Sequence, residues 1–354
     1  MKENYFLCIG DPHFKLDNID DTRQFISNLD KYLSAHEEID YIVVMGDVLH
    51  THEKLHTVAL NIAVDFFKML VSHERNIYCL VGNHDATSNT IFLTTNHWMN
   101  ILKGWDYLTI VDYPIKVEIQ NSFVVMCPYV PEGRFIEALD KVEDWKDASI
   151  IFGHQTINGA KMGMIVAKDI DEWKDCYPIL ISGHIHDKQI IGDNVYYTGS
   201  SLQHSFGEGS DKSLTKFNFR KDIKIEEFEE VYLEIKKKKI IYADVSELDE
   251  IQEKLKDEVE YKIVLSGNES EFKALKNSTL YKETIGLDNV KDIKFKTKIN
   301  KKENEIQNEE HQDDDFCKCL EGLVIKSEDP YLISIFEHLL YGKEDISDKD
   351  VLFM

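Results

Sequence analysis

The first 85 residues alternate between two hydrophobic periods, and that alternation constrains the fold more than any other feature of the chain. Continuous apolar runs at residues 5–10, 39–45 and 76–81 read as buried strands. Between them, residues 20–37 set Phe25, Ile26, Leu29, Tyr32 and Leu33 on one helical face. Residues 56–72 do the same with Val58, Leu60, Ile62, Phe66, Phe67, Met69 and Leu70. Strand, helix, strand, helix, strand predicts a parallel sheet with right-handed crossovers.

The strands end alike. Asp11-Pro12-His13 follows the first, Gly46-Asp47-Val48-Leu49-His50 the second and Gly82-Asn83-His84-Asp85 the third. Further on, the apolar runs 148–152 and 178–182 stop at Gly153-His154-Gln155 and Gly183-His184-Ile185-His186. Open α/β sheets place their ligands at the carboxyl ends of strands. The sequence therefore predicts one site built from Asp11, His13, Asp47, Asn83, His154, His184 and His186. Imidazole nitrogens with carboxylate and amide oxygens, and no thiolate among them, suit Mn²⁺, Fe²⁺ or Zn²⁺. Seven donors are too many for one ion with an open position. They match two ions sharing Asp47, and such pairs sit about 3.5–4 Å apart, clamp a phosphate and activate a water near neutral pH. One polar residue after a strand is ordinary turn chemistry; five strand ends with ligand chemistry are not.

Residues 108–111, 115–119 and 122–127 read as short strands joined by tight turns, hence a second, partly antiparallel sheet. Residues 132–142 read as helix, and 195–198, 213–219 and 224–228 as further strands. Past residue 235 the character changes. The basic run at 236–239 reads first as a solvated edge and leads into a strand, and Ser246 with Asp249 reads as the N-cap of a helix at 247–257. Strands follow at 261–265 and 290–295, with a helix at 270–276 between them. The expected organisation is a domain over 1–230, a small α/β domain over 236–300, a polar acidic linker over 301–315 and a helical docking segment over 316–345.

Composition limits the partners. A formal net charge of −24 repels nucleic acid over most of the surface, so any contact must come from a local patch, a bound cation or another protein. No run reaches the roughly 18 apolar residues of a membrane span. The N-terminus passes straight into a strand, and no signal peptide is expected. Cys8, Cys79 and Cys127 lie in apolar runs as packed thiols, and Cys317 and Cys319 form a lone C-x-C, too little for a zinc site. A reducing intracellular location, cytoplasmic or nuclear, is expected.

Taken in order, D-x-H, G-D, G-N-H-D, G-H and G-H-x-H resemble the five motifs of the calcineurin-like metallophosphoesterase superfamily. The resemblance implies a four-layer α/β/β/α core. It implies one metal on Asp11, His13, Asp47 and His186 and another on Asp47, Asn83, His154 and His184. His84 would then be the catalytic imidazole that stabilises the transition state or protonates the leaving oxygen. The Gly46–His50 segment, Cys127-Pro128-Tyr129, His186-Asp187-Lys188-Gln189, and Tyr197-Thr198-Gly199-Ser200-Ser201 followed by Ser205-Phe206-Gly207-Glu208 resemble SbcD-type nuclease subunits of DNA repair and recombination. That branch implies a DNA exonuclease or endonuclease using two divalent ions, manganese first, with magnesium, iron or zinc as alternatives. It implies His50 beside the attacked phosphate, and Ser200 and Arg134 on the substrate, with Lys161, Lys168, Lys188 and Lys212 near the mouth. It also implies a DNA-capping role for the small domain and an SbcC-like coiled-coil ATPase as partner, with a homodimer left open.

Two other readings use the same site. One is a phosphatase or cyclic-nucleotide phosphodiesterase for a small substrate, which has no need of the chain beyond residue 230. The other is a non-catalytic scaffold, which has no use for eight such residues. His204 fits a site-facing or a structural role equally. His36, His73, His97, His311 and His338 read as surface or structural, and Asp85 as holding the turn or orienting His84.

Overall fold

In the computed structural model, residues 3–297 are described, apart from Glu53, together with Val324. The expected linker at 301–315 lies outside the described residues, as do Cys317, Cys319, His311, His338 and, Val324 apart, the docking segment at 316–345.

The βαβαβ core forms as its periodicity predicts: β1 (Tyr5–Ile9), α1 (Ile19–Ala35), β2 (Ile39–Val44), α2 (Thr57–Ser72) and β3 (Asn76–Leu80). Next come β4 (Leu108–Val111), β5 (Ile115–Ile119), β6 (Ser122–Met126), α3 (Phe135–Leu139) and β7 (Ile150–His154). A two-residue hairpin, β8 (Lys161–Met162) and β9 (Ile165–Val166), precedes β10 (Ile179–Gly183), β11 (Gln189–Ile191), β12 (Val195–Tyr197), β13 (Leu214–Asn218) and β14 (Glu229–Val231). The strands fall into two six-stranded sheets, ordered β14-β13-β1-β2-β3-β4 and β11-β12-β10-β7-β6-β5. The first is parallel from β1 to β4, the second from β12 to β6, and both have antiparallel edges.

Side-chain alternation along β1 explains the layering. Leu7 and Ile9 point to the helix side, where they meet Phe25, Leu29, Phe66 and Leu70. Phe6 and Cys8 point the other way, into a core shared with Val124, Met126, Ile150, Phe152 and Ile181 of the second sheet. Phe6 stacks there on Tyr41, Phe217 and Phe152 at centroid distances of 4.6, 5.3 and 5.6 Å. On the outer face of the second sheet, Val125, Cys127, Ile151 and Leu180 pack under Phe135, Leu139, Trp145 and Trp173. Helices, sheet, sheet, helix is the α/β/β/α sandwich. Cys8, Cys79 and Cys127 are buried thiols within it.

Local expectations are corrected in several places. Leu108–Val111 does not join the second sheet. It runs parallel to β3 as the edge of the first, because Leu108 and Ile110 pack into the helix-side core. Helix α3 is shorter than 132–142. Val58 lies on the solvent side of α2 at 46% exposure. Within 224–228, Ile225–Glu227 is a 3-10 turn closed by Glu227 accepting the Lys224 N–H, and the strand starts at Glu229.

Beyond β14, β15 (Lys237–Asp244), α4 (Leu248–Lys254), β16 (Val259–Gly267), α5 (Glu269–Asn277), α6 (Thr279–Ile285) and β17 (Val290–Thr297) form a three-stranded sheet in the order β15-β16-β17. It has its own core around Leu248, Tyr261, Ile263, Leu265 and Ile293. The cap here is Asp244, not Ser246, and it closes the 3-10 turn Val245–Glu247 that leads into α4: its Oδ1 accepts the Ser246 N–H while Glu247 Oε2 accepts the Asp244 N–H. Residues up to Lys296 belong to one compact unit. Among the described residues no helix is long and apolar enough to cross a membrane.

Candidate metal centre

The two sheets bring their strand ends to one place, and the backbone there is held in an unusual shape. Asp11, His13, Asp47 and His184 all have left-handed φ angles, of 24°, 43°, 50° and 78°. A non-glycine residue in that region costs about 1–3 kcal/mol and persists where the surroundings fix it. Here it turns each side chain off its strand and inward. Asp11 and His154 are fully buried, and His13 and Asp47 are 1% exposed.

Six of the seven predicted donors form two groups. Asp11, His13 and His186 make one, and Asp47, His154 and His184 the other, with the ligand atoms of each group within 4.8 Å of one another. Asn83 joins the second, its Oδ1 3.1 Å from His154 Nε2. Asp47 connects the two: its Oδ2 lies 3.3 Å from His154 Nε2 and 3.5 Å from His13 Nε2. In the first group His13 Nε2 and His186 Nε2 converge to 3.0 Å.

An outer layer orients this set. Met45 O accepts from His154 Nδ1 at 2.7 Å, which orients the ring and leaves Nε2 as the atom that faces the centre. Glu208 Oε1 lies 3.8 Å from His186 Nδ1 on the other side of that ring. The His184 N–H donates to Asp11 Oδ2 and the His84 N–H to Asp47 Oδ1, at 2.7 and 2.8 Å. His204 resolves into a supporting role. It is buried, packs against His13 and His186, and its Nε2–H donates to Asp11 O. Sequence reasoning assigned Glu208 no role, although the F-G-E segment contained the signal.

Asp85 holds the turns together. Its carboxylate accepts from the backbone N–H groups of Val48, Leu49 and Gly82 and from Trp98 Nε1. Asp85→Asn places an amide N–H₂ against these donors and should lower the unfolding free energy by about 2 kcal/mol in urea titration. Gly82 is set by contact instead: a Cβ there would lie 2.2 Å from Asp47 Oδ1 and 2.4 Å from Asp47 N. Gly82→Ala should therefore displace Asp47 and weaken metal binding about tenfold or more in calorimetric titration, as a disturbed ligand support does.

The electrostatics fit a cation. Asp11 Oδ1 is buried with no hydrogen-bond partner among the described residues. Burial, with Asp47 nearby, pushes the Asp11 carboxyl up to about 6. Burial alone would lower His154, yet Asp47 and Asp11 on either side raise it to about 9, so a proton stands where positive charge is wanted. Burial drives His184 down to about 3 and His13 well below its ordinary value, leaving both neutral with lone pairs to give. Nitrogen and oxygen donors without thiolate match divalent ions such as manganese, magnesium, iron or zinc.

Three more histidines line the open side. The His84 ring stands perpendicular to His13 at 4.8 Å, and its Nδ1–H donates to His50 O at 2.6 Å. His50 Nδ1 lies 3.4 Å from His13 Nδ1. His52, which the sequence did not single out, stacks on His84 at 4.3 Å. Tyr129 of the Cys-Pro-Tyr segment flanks His184 and His154. The Ser200 hydroxyl is buried and donates to Leu202 O. Arg134 is paired with Glu137 and lies over Phe92. Lys188 and Lys212 are engaged with Glu230 and Glu208, while Lys161 and Lys168 are exposed. His97 is buried on Asp112, as a structural histidine.

Two stacked sheets whose strand ends converge on a buried His/Asp cluster define a metal-binding hydrolase of the α/β-sandwich class. The chain belongs to the calcineurin-like phosphoesterase family, whose model matches residues 5–188, and it is thus a metal-dependent phosphoesterase. It is 41% identical over 280 residues to the 244L protein of Invertebrate iridescent virus 6, covering 77% of this chain and 97% of the viral one. It is 38% identical over 284 residues to the 078R protein of Invertebrate iridescent virus 3, covering 79% and 81%. Both bear the provisional name phosphoesterase. Coverage of 77% of 354 residues is more than the sandwich alone supplies, since that ends at Val231, so the likeness extends past it.

Proposed function

We propose that the chain is a dinuclear-metal-dependent DNA nuclease. The observation that carries this reading is the groove at the mouth of the metal centre. His50, in contact with His13, begins a shallow channel of about 610 Å³ lined also by Thr51, His52, Lys54, Thr87, Ser88 and Asn89. Hydroxyls, an amide and one lysine along an open channel suit an extended phosphodiester chain.

Asp11, His13, Asp47 and His186 would hold one ion, and Asp47, Asn83, His154 and His184 the other. Two divalent ions held there would neutralise phosphate charge and lower the pKa of a bound water. The protein's own share is orientation and proton management. Asp47, tied by the His84 N–H, spans both positions. With its Nδ1–H committed to His50 O, His84 keeps Nε2 for the phosphate or the departing 3′ oxygen. Burial holds the free His84 imidazole below its ordinary value, and a bound phosphodiester anion favours the protonated ring that donates. His50 positions the phosphate beside His13.

The −24 charge supports a partner as well. A coiled-coil ATPase docked through residues 316–345 would supply most of the DNA affinity, and this chain alone should bind duplex DNA weakly at moderate salt. The test is Mn²⁺-dependent release of nucleotides from linear duplex DNA beside bis-nitrophenyl phosphate, with and without a coexpressed ATPase. Release from DNA is expected. Hydrolysis of the small ester but never of DNA would move the reading to a small-molecule phosphodiesterase.

A further inference from the structure

The basic run at 236–239 is not a uniformly solvated edge. Lys238, in β15, is 7% exposed, and its Nζ lies 2.5 Å from Asp21 Oδ2 in the first turn of α1. Its backbone meets Gln203, which is 8% exposed. The Lys238 N–H donates to Gln203 Oε1 at 2.7 Å, and Gln203 Nε2 donates back to Lys238 O at 2.9 Å. The second hydrogen of Gln203 Nε2 reaches Glu208 O at 2.9 Å. One buried amide thus closes the loop from 203 to 208 and fastens it to the small sheet. That loop carries two supports of the metal centre: His204, donating to Asp11 O, and Glu208, beside His186 Nδ1. Lys15 Nζ donates to His204 O and ties in the loop that holds His13.

We propose that Gln203 is a positioning residue through which the small sheet sets the geometry of the Asp11–His13–His186 metal position, leaving the Asn83–His154–His184 position to the sandwich. The proposal rests on the metal-ligand assignment above. Among the described residues, the supports named for the second group, Met45 O on His154 and Gly82 against Asp47, belong to the sandwich.

Gln203→Glu tests this with little change of volume. It keeps an acceptor for the Lys238 N–H and sets a second acceptor against two carbonyls. Metal-free full-length protein is titrated with Mn²⁺ by calorimetry, beside a thermal melt. Wild type should bind two ions. In the variant one ion should bind about tenfold or more weaker, the usual effect of losing an outer-layer support, while the other is unchanged. Lys238→Met removes the Nζ contacts to Asp21 and, at 3.2 Å, to Gln203 O, but keeps both bonds between its backbone and the Gln203 amide. It should retain wild-type affinities, while Lys238→Pro, which removes the N–H, should reproduce the Gln203→Glu defect. Unchanged affinities in Gln203→Glu with only a lower melting temperature would overturn the proposal, as would equal weakening of both ions. If Gln203→Glu does not fold, Glu208→Gln is titrated instead, and the same selective loss is required. Wild type that binds fewer than two ions would refute the ligand assignment itself, a distinct result.

Discussion

Asp47→Ala should lower phosphodiester turnover at least about a thousandfold, or about 4 kcal/mol of transition-state stabilisation, and leave a protein that binds at most one divalent ion. Among the described residues, Asp47 is the carboxylate set between the inward nitrogens of both groups. One oxygen of Asp47 lies within 3.5 Å of ligand nitrogens from either side, and the other accepts the His84 N–H. Removing it deletes a donor from each metal position and also frees the turn that carries Asn83. Asp47→Asn preserves the shape and the His84 bond but not the charge. It should keep the fold by circular dichroism while losing one ion. Two fully occupied positions in Asp47→Ala would show that the carboxylate does not bridge.

His84→Ala should behave oppositely on the two readouts: turnover should fall about 10²- to 10⁴-fold, as when a general acid is removed, while both ions stay bound. The separation follows from which atoms do what. The bond from residue 84 to Asp47 is made by its backbone N–H, which alanine retains. The imidazole donates to His50 O and stacks on His52 on the open side, and it meets the buried His13 ring edge-on. Imidazole added to the buffer should restore part of the activity. Loss of both ions in this variant would make His84 a structural residue.

The sandwich was legible because its strands are short, apolar and stopped by glycine, and because its two helices repeat at 3.6 residues. The donors were legible because carboxylate, amide and imidazole groups recur after those stops. What escaped has a common cause. Leu108–Val111 follows β3 in space but precedes β5 in sequence, so adjacency suggested the wrong sheet. Glu208 and His204 act on ligands nearly two hundred residues away in the chain or across a loop, and no local pattern encodes that reach. Lys238 has the same sequence context as its exposed neighbours; the approach of α1 and of Gln203 buries it. Ser200, a substrate contact by motif resemblance, has its hydroxyl bonded to Leu202 O, a local bond the motif does not encode.

The mutual arrangement of the seven donors is also why the charges are frustrated without a cation. Asp11 is driven up and His154 holds a proton between two carboxylates. A bound ion replaces that proton, so metal affinity should rise with pH through the range where His154 would otherwise titrate. The most direct test of the account is the stoichiometry of Mn²⁺ on the wild-type chain, measured by titration while hydrolysis of bis-nitrophenyl phosphate is followed on the same samples. Two ions per chain are predicted, with activity appearing as the second position fills. Full activity with one ion bound, or with none, would contradict it.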